Sequence, residues 1–259
     1  MTTLRCDDVT VAFGGVRAVD RVSVEVSAGE VVGLIGSNGA GKTTLFEVLS
    51  GYLRPDSGRV MLDGEDVTGL PVHRRARRGV ARGFQDARLF PAMSVEDVVS
   101  TALDVHTSDR VDLAGLLLGL PSARRAQSWT DTRAGEVVES FGLEAYRDHA
   151  VGELSTGTRR VLEIACVFAQ EPALVLLDEP SAGVAAKEAE ALRGLLRRLQ
   201  TDGGAAMLLV EHDVPMVMEL SDRIYVMETG AILAEGPPDE IAANPEVIEA
   251  YFGTRTARR

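Results

Sequence analysis

The chain has 259 residues, of which 45% are apolar and 25% are charged, and its formal net charge is −12 at pH 7. This length and apolar content allow a full hydrophobic core, which excludes an intrinsically disordered chain. The acidic balance disfavours a nucleic-acid partner, because proteins that bind nucleic acids normally present a basic face.

Two further features bear on the compartment. Cys6 and Cys166 are the only cysteines and form no C-x-x-C pair, so a reducing compartment is the simpler expectation. The longest strongly apolar run, residues 113–120, is far shorter than the ~20 residues that cross a bilayer, and we expect no signal peptide at the start of the chain. We therefore expect a protein that is soluble, or attached to a membrane only through a partner.

The first elements are predicted strands. Apolar residues tend to alternate over residues 4–11 and 22–26, which predicts a small antiparallel sheet with a turn at Gly14 and Gly15. Phe13 directly precedes this turn. Its residue type alone favours a core position over a ligand-stacking one, because aromatic side chains are more often buried.

Residues 36–43 read G-S-N-G-A-G-K-T and match the pattern G-x-x-x-x-G-K-[ST]. They lie between an apolar run expected to be a buried strand and a helix-forming run. In this context the glycines let successive N–H groups face a phosphate, and the helix adds the positive end of its dipole. The pattern predicts a nucleoside triphosphate site in which Lys42 reaches the β- and γ-phosphates and Thr43 ligates Mg²⁺. A glycine-rich turn without a nucleotide is the disfavoured alternative.

A basic cluster and a helical span follow. We interpret the cluster as a solvent-exposed helix face, in preference to a phosphate or lipid contact. Its members are His73, Arg74, Arg75, Arg77, Arg78 and Arg82. After a predicted strand that ends at residues 83–85, Ser94 begins a capped helix, and the span to about Gly152 shows no convincing strand. We expect a helical subdomain inserted into an α/β core, whose apolar stretches are either its own packing or a docking surface.

The last third of the chain alternates helices and strands. A helix from about 159 to 169 precedes two apolar runs, at 173–177 and 206–210, which predict parallel strands buried on both faces. A helix from about 186 to 199 connects the two runs, and a hairpin at 223–234 and short helices near Pro238 and Pro245 follow.

Polar residues end both of these strands, where an open α/β sheet binds its ligand. Asp178 and Glu179 follow the first run and His212 follows the second. One carboxylate is expected to hold the magnesium shell and the other to orient and deprotonate water, although exposed acids at a strand end are the plain alternative. His212 is a candidate for contact with the transferring phosphate, or a structural histidine. Gln85 is a candidate contact for the metal or the water.

Five motifs in this order resemble those of the nucleotide-binding subunits of ABC transporters. They are the phosphate loop, Gln85 as the Q-loop glutamine, L-S-T-G at residues 154–157 as the signature, Asp178-Glu179 as the end of Walker B, and His212 as the switch histidine. The resemblance covers essentially the whole chain. The segments around Phe13 and Gln85 and residues 235–253 resemble, more narrowly, the branched-chain amino acid importer branch.

The resemblance implies a single ABC ATPase domain over residues 1–259. Its fold class is α/β: a P-loop NTPase (RecA-like) core with an antiparallel β subdomain and an inserted α-helical subdomain. We expect the β subdomain and first part of the core in residues 1–90, the helical subdomain in 91–153, and the rest of the core with the C-terminal hairpin and helices in 154–259.

The resemblance also implies roles for single residues. Phe13 becomes the adenine-stacking residue, which reverses the expectation from its residue type. Ser155 and Gly157 close over ATP bound to an opposing subunit. The implied ATP-binding residues are Phe13, Ser37, Asn38, Gly39, Ala40, Gly41, Lys42, Thr43, Thr44, Ser155 and Gly157. The implied Mg²⁺ ligands are Thr43, Gln85 and Asp178. The implied catalytic residues are Glu179 as general base, His212 and Gln85 as γ-phosphate sensors, and Lys42.

The implied partners are a second cassette, identical or related, integral membrane permease subunits and, indirectly, an extracytoplasmic solute-binding protein, with no nucleic acid. The implied location is cytoplasmic, peripheral at the inner face of the membrane. The expected function is ATP hydrolysis that powers import of branched-chain amino acids or similar small polar solutes. The alternatives are a lipid or other exporter, a soluble non-transport ABC ATPase, and a cassette that only binds ATP.

Three positions depart from the family pattern. Thr158 replaces the usual glutamine of the signature, which weakens the expectation of a contact to the sugar across the dimer. Ala185 replaces an aspartate or asparagine, which weakens the expected link between the two sites. Ser37 replaces a proline, a change that we expect to loosen the unbound loop only slightly. Because the lysine, the base and the histidine are all present, we expect an active ATPase.

Overall fold

A computed structural model describes residues 2–83, 89–107 and 121–252. The chain divides into two compact units. The first comprises residues 1–82, 173–181 and 193–259, and the second comprises residues 83–172 and 182–192. Gln85 and the apolar run at 113–120 lie outside the described residues.

The strands of the described residues are β1 (Thr2–Phe13), β2 (Val16–Ser27), β3 (Val31–Gly36), β4 (Ser57–Leu62), β5 (Glu65–Asp66), β6 (Val80–Gly83), β7 (Leu174–Asp178), β8 (Ala206–Val210), β9 (Arg223–Glu228) and β10 (Ala231–Gly236). The helices are α1 (Lys42–Ser50), α2 (Val72–Ala76), α3 (Val95–Thr107), α4 (Pro121–Ser140), α5 (Thr156–Ala169), α6 (Ala186–Gly203), α7 (Val214–Leu220), α8 (Pro238–Ala243) and α9 (Pro245–Phe252). Short 3₁₀ turns cover Glu144–Tyr146 and Val151–Glu153.

A four-stranded sheet in the first unit has the order β2-β1-β4-β5. Its strand pairs are antiparallel, with Leu4 opposite Val26 and Cys6 opposite Val24. These four side chains are buried, as the alternation of apolar residues predicted. The antiparallel sheet predicted at the start of the chain is confirmed.

A six-stranded sheet has the order β10-β9-β3-β8-β7-β6. Strand β3 pairs in parallel with β8 and β9, and β7 pairs in parallel with β8. Every residue of β3, β7 and β8 is buried, because helices and the smaller sheet leave neither face to solvent. The two predicted buried parallel strands are confirmed, and their carboxyl ends lie with that of β3 at one edge of the sheet.

The main hydrophobic core of the first unit joins the two sheets through α1. Phe46 and Leu45 of α1 are fully buried, together with Val9 of β1, Leu34 of β3 and Leu208 of β8. The helix that follows the phosphate loop is therefore held on its apolar face by both sheets.

The described part of the second unit is mainly helical, and α3 packs against α4 and α5. Ser94 starts α3 as predicted: its hydroxyl accepts the Asp97 N–H at 3.1 Å and donates to the Asp97 carboxylate at 2.7 Å. Helix α5 begins at Thr156, earlier than predicted, because Ser155 caps it by accepting the Thr158 N–H at 3.0 Å. Among the described residues, no helix is long and apolar enough to span a bilayer.

The interpretation of the basic cluster as a solvent-exposed face is wrong for Arg75 and Arg82. Arg75 is only 1% exposed, and its guanidinium donates to the carbonyls of Val48 and Leu49 at 2.8 Å each. It also donates to the carbonyls of Leu70 and Thr68 at 3.2 Å each. The cation binds there because a helix C-terminus leaves carbonyls without intrahelical partners.

Arg82 lies between two aromatic rings. Its guanidinium carbon is 4.7 Å from the centre of the Phe46 ring and 4.9 Å from that of Tyr52. A guanidinium stacks well on aromatic faces, which explains why so polar a side chain is largely buried here. The other members of the cluster, His73, Arg74, Arg77 and Arg78, are exposed as predicted.

Candidate nucleotide site

The phosphate loop connects β3 to α1. Gly41, its last residue before the helix, has a φ of 101°, and a Cβ there would collide with the carbonyl oxygen of Ala18. Only glycine fits this position without strain. No side chain caps the start of α1, which leaves its first N–H groups without a side-chain acceptor. Such a helix start can bind an anion. Residues 37–39 of the loop are exposed, and Ala40 anchors it in the core.

Lys42 lies inside this loop and is 6% exposed. Its Nζ donates to the carbonyl oxygens of Gly36, at 2.7 Å, and Ser37, at 3.1 Å. Burial lowers the pKa of the ammonium, and the negative charges of Glu179 and Asp178 oppose that effect. The ammonium is therefore held by carbonyls that phosphate oxygens can replace as acceptors.

The residues at this edge fit a magnesium ion that is shared with phosphates. Thr43 is exposed at the start of α1, and the Asp178 carboxylate is buried at the end of β7. No group of three or more His, Cys, Asp or Glu side chains among the described residues could hold a metal ion. Mg²⁺ typically takes one or two protein oxygens plus substrate phosphates, which is the donor set that Thr43 and Asp178 offer.

Asp178 also has a cationic neighbour. Nη2 of Arg82 lies 3.6 Å from Oδ2 of Asp178, and Nη1 of Arg82 donates to the Ser50 hydroxyl at 2.9 Å. The same guanidinium stacks on the rings described above. Arg82 thus links the Asp178 carboxylate to Ser50, the last residue of α1.

Glu179 and His212 meet at the same edge of the sheet. Glu179 follows β7 with a φ of 47°, and its N–H donates to the carbonyl of Val210 at 2.8 Å. Left-handed backbone is costly for a non-glycine residue and is concentrated at functional sites. This turn places Oε1 of Glu179 2.9 Å from Nε2 of His212, and the imidazole is half exposed.

Glu211 supports both strand ends, a role that the sequence motifs did not predict. It is 3% exposed, and its carboxylate accepts the N–H of Ser181 at 2.7 Å and that of His212 at 3.0 Å. Charged groups are rarely buried unless they are paired or hydrogen-bonded, so these hydrogen bonds hold the Glu211 carboxylate in place. The available signal was an acid directly after the apolar run of β8.

Phe13 lies at the end of β1 and is 53% exposed. The core position favoured by its residue type is wrong, because the β1–β2 hairpin extends beyond the buried part of the sheet; Val16 across the turn is 70% exposed. The stacking role assigned to Phe13 stays a prediction. So does the role of Gln85, which lies outside the described residues.

The signature residues belong to the second unit. Ser155 caps α5, and its hydroxyl oxygen lies 2.9 Å from the Thr158 hydroxyl and 3.2 Å from Oε1 of Glu188. Gly157 is buried, and a Cβ there would collide with the Glu188 carboxylate. The structure thus brings Ser155 and Gly157 together at one helix start, whereas the phosphate loop, Asp178, Glu179 and His212 form a group within the first unit.

Family models match two parts of the chain. The model described as ABC transporter matches residues 19–182, which contain the phosphate loop, the signature and Glu179. The model described as branched-chain amino acid ATP-binding cassette transporter matches residues 231–257.

Curated relatives match nearly end to end. The chain is 40% identical to the high-affinity branched-chain amino acid transport ATP-binding protein BraF of Pseudomonas aeruginosa. It is 41% identical to LivG, which has the same description, of Escherichia coli K12. Each match covers 96% of this chain and 97% of the relative. The lipopolysaccharide export system ATP-binding protein LptB of Escherichia coli K12 is 36% identical, with 98% of each chain covered.

Solved structures agree. A nucleotide-free ATP-binding cassette from an ABC transporter superposes with a TM-score of 0.80 at 29% identity, covering 97% of this chain and 99% of that one. A cassette solved in its ADP conformation gives the same score and identity, covering 98% and 99%. The predicted fold class, a P-loop NTPase core with its β and helical subdomains, is the fold of these proteins. This chain belongs to the family of ABC transporter ATP-binding proteins.

Proposed function

We propose that this chain is the ATP-hydrolysing subunit of a membrane importer for branched-chain amino acids or similar small polar solutes. The observation that carries the ATPase assignment is that Lys42, Asp178, Glu179 and His212 lie at the carboxyl ends of three neighbouring parallel strands, β3, β7 and β8. The match of residues 231–257 to the branched-chain amino acid model, and the end-to-end similarity to BraF and LivG, support the cargo class.

In the proposed reaction each residue has one task. Lys42 exchanges its two carbonyl partners for β- and γ-phosphate oxygens, and the first N–H groups of α1 bind the same triphosphate. Thr43, Asp178 and Gln85 hold Mg²⁺, which when bound neutralises charge on the phosphates. Glu179 accepts the proton of the attacking water as general base. His212, 2.9 Å from the Glu179 carboxylate, orients it and faces the γ-phosphate. Phe13 stacks on the adenine ring.

The complete site needs a second cassette, either another copy of this chain or a related subunit. Ser155 and Gly157 serve the ATP bound to that partner. Permease subunits hold the dimer at the cytoplasmic face of the membrane, and an extracytoplasmic protein delivers the solute. A helical subdomain at 91–153, flanked by residues 1–90 and 154–259, passes the motion of the dimer to the permeases.

Steady-state ATP hydrolysis in the presence of the membrane subunits tests the ATPase assignment. We expect Glu179→Gln to lower the rate by about 100-fold or more, which is the usual contribution of a general base. Glu228→Gln removes the same charge at an exposed position on β9 and should hydrolyse ATP at the wild-type rate. Equal rates for wild type and Glu179→Gln would remove the assigned base.

Export of a lipid is the second candidate, favoured by the 36% identity to LptB over 98% of the chain. Proteoliposomes that contain this chain and its permeases separate the two. ATP-driven accumulation of labelled leucine from the side of the binding protein supports import. ATP-driven extraction of lipid without leucine uptake would instead establish export.

A further inference from the structure

In the second unit, the Glu188 carboxylate lies against the signature residues Ser155 and Gly157. Oε1 of Glu188 is 3.2 Å from the Ser155 hydroxyl oxygen, and the Glu188 carboxylate occupies the space next to Gly157 where a side chain would start. Glu188 is half-buried and Gly157 is buried beneath it. Ser155 and Glu188 are 33 positions apart in sequence, so the contact arises only in the folded unit.

The surroundings of this carboxylate favour an anion. Gly157 is in the first turn of α5, and Glu188 itself is in the first turn of α6. The N-terminal turn of a helix attracts negative charge through its unpaired N–H groups and its dipole. The carboxylate therefore lies where two helix starts both stabilise it.

The contact also engages the Ser155 hydroxyl. Its oxygen accepts the Thr158 N–H at 3.0 Å, and it donates its single hydrogen to Glu188. A hydroxyl that donates to Glu188 cannot donate to a phosphate at the same time. On the proposed function, this hydroxyl and Gly157 receive the γ-phosphate of ATP held by the partner cassette.

We infer that Glu188 competes with the partner's ATP for the signature residues Ser155 and Gly157. The Glu188 carboxylate occupies the signature in the separate subunit and must leave before two cassettes close. The inference rests on the proposed function. A carboxylate and a triphosphate are both negative and share one small space at Ser155 and Gly157, so they exclude each other by charge as well as by volume. Glu188 thus raises the ATP concentration at which the dimer forms.

Two variants test this competition in a Glu179→Gln background, which keeps ATP from being consumed. Glu188→Gln keeps the size and removes the charge, and Glu188→Ala removes the competing group. Glu190→Gln makes the same charge change two residues further along α6, at an exposed position, and is the matched control. The measured quantity is the ATP concentration at half-maximal dimer, from light scattering coupled to size-exclusion chromatography with Mg²⁺-ATP.

We expect both Glu188 variants to dimerise at about 3- to 10-fold lower ATP than their parent, and Glu190→Gln to match the parent. Unchanged or higher ATP requirements for both variants, or absence of an ATP-dependent dimer in either, would overturn the inference. Binding of a fluorescent ATP analogue to the parent is measured in parallel. If the parent does not bind the analogue, the proposed function is contradicted. If the parent binds it and the Glu188 variants dimerise at the same ATP concentration as the parent, only the role of Glu188 is contradicted.

Discussion

Nε2 of His212 lies 2.9 Å from Oε1 of Glu179, although the two residues follow different strands. Two backbone contacts hold this arrangement. The Glu179 N–H donates to the carbonyl of Val210, and the buried Glu211 carboxylate accepts the His212 N–H. The imidazole and the carboxylate are therefore positioned by the ends of two neighbouring strands, and Glu179, the proposed general base, has a partner within hydrogen-bonding distance.

Because they share one contact, Glu179 and His212 should act as a unit. We expect Glu179→Gln and His212→Ala each to lower the single-turnover rate of ATP hydrolysis by about 100-fold or more. The double variant should be at most about tenfold slower than the slower single variant, because residues of one catalytic unit are strongly non-additive. Rate losses that multiply in full would show that His212 acts independently of Glu179.

Lys42→Ala should abolish tight ATP binding at its own site, since it removes the buried ammonium that the loop carbonyls hold. Lys187→Ala, which changes the only other lysine of the chain, is the control and should bind ATP normally. Titration with a fluorescent ATP analogue measures both variants.

A mixed dimer extends this prediction. One Lys42→Ala chain paired with one wild-type chain should retain a single bound ATP, because the mutant chain still supplies its Ser155 and Gly157 to the wild-type site. Bound nucleotide per dimer, counted after rapid filtration, reads this directly. A mixed dimer with no ATP at all would contradict the shared site.

The sequence was most informative where a strand is buried on both faces. The apolar runs at 173–177 and 206–210 end at charged residues, so the sequence predicted β7 to within one residue at each end and β8 with its observed bounds. It also predicted that Glu179 and His212 follow these strands. The phosphate loop is equally local, since strand, glycines and helix adjoin in the chain.

Contacts between distant segments could not be read in this way. Arg75 looks like any other arginine of an exposed basic cluster, and its burial depends on the carbonyls that end α1, 26 and 27 positions earlier. The contact between Ser155 and Glu188 likewise depends on the folded second unit. Phe13 is the opposite case, an expected core residue that is exposed. Its residue type favoured burial, but the length of the hairpin leaves it in solvent.

Both cysteines should be unreactive in the folded protein. Burial raises the pKa of the Cys6 thiol and of the Cys166 thiol to about 12, from an ordinary value of 9.0. The thiolate fraction near pH 8 is thereby lowered about a thousandfold, in addition to the loss of access. Labelling with a chromogenic disulfide should find no fast-reacting thiol in the native protein and two after denaturation in guanidinium.

The raised thiol pKa values also make the free energy of unfolding depend on pH. The folded state keeps its two thiol protons up to about pH 12, whereas the unfolded chain releases them from about pH 9. Their contribution to the free energy of unfolding is therefore complete below pH 9 and falls as the pH rises above it. Rapid modification of either thiol in the native protein would contradict the burial on which this rests.

Arg75→Met should lower the free energy of unfolding by about 3 kcal/mol, because four carbonyls lose a charged donor in the core. Burial lowers the pKa of this guanidinium to about 10, an effect that Asp66 opposes, so it is still charged at pH 7. Arg74→Met changes the exposed neighbour on α2 and should shift stability by less than about 0.5 kcal/mol. Urea unfolding followed by circular dichroism measures both. Because α1 begins at Lys42, Arg75→Met should also weaken ATP binding. Equal stability of the two variants would show that the carbonyls of α1 do not depend on Arg75.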